Sequence, residues 1–119
     1  VRAPRYTNLT AKVGDADGGG ATEVVLSGEL DLEDADALDA ALVELQRGTA
    51  TLVLDLREVT FIDSSGARAL WAAHVRAGEA GGALRVIVGP GAVRRALAVT
   101  GLDHELNLVE DAAPENATG

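Results

Sequence analysis

The stretch from Thr51 to Gly66, TLVLDLREVTFIDSSG, constrains the fold more than any other in this sequence. Ala50 to Leu56 is apolar on nearly all sides, the pattern of a central strand covered on both faces. Asp63, Ser64, Ser65 and Gly66 then form a tight turn, and the helix-forming run ARALWAAHVRAGEA follows at once. A buried strand passing directly into a helix belongs to an α/β architecture with right-handed crossovers. It also leaves two hydroxyls at a helix N-terminus, where backbone N–H groups are free and the dipole favours negative charge. Such a turn can receive a phosphate or present a serine. A plainer role is also open: Asp63, Ser64 or Ser65 capping the first-turn N–H groups.

The flanking sequence fills in the rest. Tyr6 to Val13 and Thr22 to Ser27 read as two strands of an antiparallel hairpin around the flexible turn Gly14 to Gly20. The spacing predicts a helix over Leu32 to Arg47, capped by Asp31, ended by Gly48, and buried through Ala35, Leu38, Leu42 and Leu45. A second helix is expected from about Ser65 to Ala80, with Ala67, Leu70, Trp71, His74 and Gly78 on one side and Trp71 either in the core or an exposed docking aromatic. Ala83 to Val88 reads as a strand, Pro90 to Thr100 as a helix with Val93 and Leu97 inward, and Leu106 to Val109 as a short last strand. The expected fold is thus one α/β domain over residues 1–110, a mixed sheet of about four to five strands with helices packed on it. Residues 111–119, DAAPENATG, are expected to be a flexible C-terminal tail.

Charge and composition exclude several functions. A formal net charge of −9 argues against general nucleic-acid binding and against an anionic membrane surface. No apolar run reaches transmembrane length, and VRAPRYTN lacks a leader's apolar stretch, so a cytoplasmic location is expected. There is no cysteine, the only lysine is Lys12, and no acid pairs with a histidine at metal-ligand spacing, so no cofactor or metal is expected. A serine nucleophile needs a base. His74 lies ten residues beyond Ser64 on one predicted helix, roughly 15 Å of rise, and the G-x-S-x-G elbow is missing. A small serine hydrolase then depends on His104, otherwise read as a surface loop residue. Six acids, Glu29, Asp31, Glu33, Asp34, Asp36 and Asp39, fall within eleven residues with no base among them. One or two would complement a helix dipole, whereas six create a field suited to an arginine-bearing partner.

These residues resemble the anti-sigma factor antagonists, small single-domain members of the STAS fold family. The resemblance covers about residues 6–110. It is carried by SGELD (Ser27 to Asp31), LVLDLREVTFIDSSG (Leu52 to Gly66), EAGGALRVI (Glu79 to Ile87) and VRRALAVTGLDHELNL (Val93 to Leu108). It implies a partner-switching protein, not an enzyme. The unphosphorylated form would bind an anti-sigma factor serine kinase and release the sigma factor. Phosphorylation at Ser64, the first hydroxyl after the motif aspartate, would undo the complex, and a serine phosphatase would restore it. Asp63, Ser64, Ser65 and Gly66 would be the switch loop, with Glu29, Asp31, Asp63, Ser65 and Arg68 at the partner. The fold family also implies an alternative: a STAS scaffold without a phosphorylation switch, regulating a transporter or sitting in a signalling assembly. The sequence departs from the family pattern at Ala67 and Arg68, where a large aliphatic and then a small residue are usual. Arg68 is read as a solvated surface residue or, more sharply, as a partner for a phosphate on Ser64.

Overall fold

A computed structural model describes residues 6–16 and 20–110. Five strands lie in chain order across one sheet: β1 (Leu9–Ala16), β2 (Ala21–Leu30), β3 (Thr51–Ile62), β4 (Ala83–Val88) and β5 (Leu108–Glu110). β1 is antiparallel to β2, and every later neighbour is parallel. The connecting helices are α1 (Leu32–Arg47), α2 (Ser64–Glu79), α3 (Ala92–Thr100) and the short α4 (Leu102–Glu105). The mixed α/β sheet expected from the sequence is therefore present. The expected tail lies outside the described residues.

Each parallel step moves one strand in the same direction, so right-handed crossovers put α1, α2 and α3 on a single face of the sheet. Packing agrees. Leu52, Leu54 and Leu56 of β3 join a continuous core with Leu38 and Leu42 of α1, Leu70 of α2 and Leu97 of α3. Val53, on the opposite side of the pleat, is buried but stands outside that core. From Leu52 to Leu56, β3 is buried on both sides of its pleat, as expected, with the helix-packed core on the side of Leu52, Leu54 and Leu56. Asp55 shares the side of Val53 and is 5% exposed. Its carboxylate accepts from Arg57 N–H (3.0 Å), Nε (2.9 Å) and Nη2 (2.6 Å). The Arg57 side-chain hydrogen bonds hold the Asp55 pKa below the usual carboxylate range.

Boundaries moved where pairing outweighed local pattern. β1 is displaced toward the turn because its register with β2 runs from Leu9–Gly28 to Ala16–Ala21. Against β2, β3 carries two register shifts, at Val25/Ser27 and Gly28/Glu29, and extends to Ile62 instead of stopping at Leu56. Gly28 has φ +101°, and a Cβ there would collide with the Asn8 carbonyl oxygen. The third helix starts at Ala92 rather than Pro90, and α4 occupies a stretch read as loop.

The buried side of α2 consists of Gly66, Ala67, Ala69, Leu70, Ala73 and Ala77. Trp71 is 37% exposed, His74 is half-buried and Gly78 is exposed, so the stripe through Trp71 and Gly78 is not the core face. Small residues let α2 settle closely on its neighbours, and Trp71 stays outside, its ring 5.4 Å from that of His74.

Candidate functional site

The starts of α1 and α2 meet at the C-terminal ends of β2 and β3. Asp31 caps α1, its Oδ1 accepting from the Glu33 N–H at 3.2 Å. Asp63 caps α2, its Oδ1 accepting from Ser65 N–H (2.9 Å) and Gly66 N–H (3.0 Å). The other oxygen of Asp63 accepts from Leu32 N–H at 3.1 Å. One carboxylate thus serves the first turns of two helices and fixes their relative position. Gly66 makes the junction tight: a Cβ there would lie 2.7 Å from Leu30 Cγ and from the Leu30 carbonyl oxygen, and 2.8 Å from Ile62 Cγ1.

Because Asp63 does the capping, neither serine is needed for it. Ser64 is exposed and Ser65 half-buried. Among the described residues, the Ser64 hydroxyl has no hydrogen-bond partner. The turn therefore presents Ser64 to solvent on a rigid base.

The six acids separate into two groups. Asp34 is 1% exposed, and its oxygens accept from the backbone N–H groups of Thr7 and Asn8, both at 2.6 Å. Asp39 is turned to Arg76, with Oδ1 3.1 Å from Nη1. Asp34 is thus buried and structural and Asp39 is partly neutralised by Arg76, so the six acids are not one uniform surface field. Glu29, Glu33 and Asp36 are exposed and Asp31 is half-exposed. Asn8 Nδ2 donates to Glu33 Oε1 at 3.0 Å and more loosely to Asp31 at 3.4 Å. The expected contributors Glu29, Asp31, Asp63, Ser64, Ser65 and Gly66 thus converge on one corner.

Arg68 is exposed on α2, four residues after Ser64. Sequence reasoning missed Leu32 and Phe61. Leu32 is 71% exposed beside Asp63, and Phe61, 47% exposed, lies two residues before it. Trp71 and Val75 continue the exposed side of α2 from Ser64 and Arg68 at helical spacing. Four of the seven large apolar side chains exposed among the described residues are these: Leu32, Phe61, Trp71 and Val75. The exposed Ser64 hydroxyl thus stands at a helix start that also carries exposed acids and exposed apolar side chains.

The topology removes the remaining histidine. His104 lies in α4, just ahead of β5, which runs parallel to β3 through β4. It therefore sits toward the start of the parallel strands, whereas Ser64 follows the end of β3. Neither His74 nor His104 is placed as a base for Ser64.

The sequence profile described as Mlab, STAS domain, matches residues 13–110. An anti-sigma factor antagonist from Mycobacterium paratuberculosis is 31% identical, with 92% of each chain covered and a TM-score of 0.78. The chain belongs to the STAS family of anti-sigma factor antagonists. The same fold is seen in the anti-sigma factor antagonist SpoIIAA in its unphosphorylated form, at 17% identity, TM-score 0.64, with 92% of this chain and 96% of that one covered. The phosphorylated form of SpoIIAA, a Bacillus cell fate determinant, matches at 18% identity and TM-score 0.61, covering 92% of this chain and 97% of that one. No curated protein matches the sequence. Among the described residues, no helix of this STAS domain is long and apolar enough to cross a membrane.

Proposed function

We propose that this protein is an anti-sigma factor antagonist whose unphosphorylated form binds an anti-sigma factor serine kinase and frees the sigma factor. Phosphorylation of Ser64 reverses the binding, and a serine phosphatase resets it. The observation that carries this reading is the division of labour at the turn: Asp63 takes the capping bonds, and Ser64 is left exposed with its hydroxyl unengaged. A phosphate at Ser64 adds roughly −1.5 to −2 charges. It would stand near Glu29, Asp31, Glu33 and Asp63, at the helix start where Leu32 is exposed. Charge and hydration added at the centre of an apolar interface oppose docking. The serine is thus a substrate rather than a nucleophile, and the reaction belongs to the partner.

Incubation with the cognate serine kinase and ATP, followed by peptide mass mapping, tests this. The expected result is one phosphate per chain, on Ser64, absent from Ser64→Ala. Modification of Ser65 in place of Ser64 would move the site by one residue. An unmodified chain would indicate a STAS scaffold that does not switch.

A further inference from the structure

Ser64 and Arg68 are both exposed on α2 and four residues apart. That spacing stacks two side chains on one side of a helix, with Cβ atoms about 5–6 Å apart. The two arginines of α2 differ sharply. Arg76 is engaged, its Nε donating to Gln46 Oε1 at 3.0 Å and its Nη1 lying 3.1 Å from Asp39. Arg68 makes no hydrogen bond or ion pair with any described residue. It stands at the start of a helix whose first turn holds no acid, where the dipole disfavours a cation. Charged groups near this corner include Glu29, Asp31, Glu33 and Asp63. In the unmodified protein Arg68 therefore sits slightly against the helix field, with no partner to offset it.

A phosphate on Ser64 reverses that balance. It places a dianion at the positive end of α2, one turn from a guanidinium whose planar fork matches two phosphate oxygens. We propose that Arg68 is the intramolecular counter-ion of the Ser64 phosphate, a regulatory element of the switch that rests on the reading of Ser64 as the modified residue. The pair offsets part of the repulsion between the phosphate and the surrounding acids. It also holds the phosphate along α2. Arg68 thereby keeps the released, phosphorylated form stable until it is dephosphorylated.

The test uses the full chain with phosphoserine installed at position 64 during translation, and follows the second ionisation of the phosphate by phosphorus NMR. The wild-type phosphate is expected to ionise at lower pH than that of Arg68→Gln, by about 0.3 unit or more, the size of an exposed ion pair. Arg68→Lys should recover much of the shift, and roughly 1 M salt should remove it. Coincident titrations of wild type and Arg68→Gln would overturn the pairing. Installed phosphoserine makes this outcome independent of any kinase. Coincident titrations would remove the ion pair and leave the switch standing, whereas a kinase that ignores Ser64 would remove the switch itself.

Discussion

The two helices α1 and α2 begin at one pole of the molecule and end at the other, about 24 Å away for 16 residues. At the starting pole, carboxylates are used on backbone N–H groups, and apolar side chains and a hydroxyl face solvent. Toward the finishing pole, side chains link the two helices. Gln46 Nε2 donates to the Ala73 carbonyl oxygen at 2.9 Å, its Oε1 accepts from Arg76, and Arg76 reaches Asp39. A cleft of about 780 Å³ lies at that end, lined by Val43, Leu52, Arg76 and Ala77 among others. The cleft and the exposed Ser64 hydroxyl are thus at opposite ends. The cleft lies beside the Gln46–Arg76 link, and the proposed docking face is the corner where Asp31 and Asp63 cap the two helix starts.

The contrast is most easily broken at Gly66. Gly66→Ala puts a methyl into Leu30 and Ile62 and should destabilise by about 3 kcal/mol, read by urea unfolding. A cost below ~1 kcal/mol would mean that the junction is looser than described. Next is Asp63→Ala, which releases three backbone N–H groups on two helices and should cost about 2 kcal/mol, with Asp63→Asn recovering part of it. A loss no larger than that of a single exposed cap would separate α1 from this aspartate. At the other pole, Gln46→Ala should cost about 1 kcal/mol and leave partner affinity unchanged. Weaker partner binding by that variant would dissolve the distinction between the poles. Smallest in stability is Leu32→Ser, within about 0.5 kcal/mol by thermal melting. Its effect belongs in binding, where a tenfold or greater loss of kinase affinity is expected.

The starting pole was the more legible of the two in the sequence. Asp31 followed by a clean apolar period and Gly48 set the limits of α1, and Asp63-Ser64-Ser65-Gly66 marked where α2 begins. What the sequence hid was decided by tertiary contacts. Arg57, Glu58 and Thr60 look like a polar loop, yet pairing with Ser27 to Leu30 through two register shifts makes them strand. Trp71 outranks alanine in any hydrophobic stripe, but the close approach of α1 and α2 selects Ala69, Ala73 and Ala77 for burial. Nothing local distinguishes Asp34 from the five acids around it. It is buried because the chain entering β1 passes over it with two unpaired N–H groups. Exposure of Leu32 and Phe61 likewise followed only from how the helix starts meet.

The central claim is that Ser64 is an unengaged hydroxyl whose charge state decides docking. Affinity for the cognate anti-sigma factor kinase, measured by calorimetry for Ser64→Ala and for protein carrying phosphoserine at position 64, tests it most directly. The account predicts that Ser64→Ala binds as tightly as the unmodified protein and that the phosphorylated protein binds at least tenfold more weakly. Equal affinity of the two forms would contradict it.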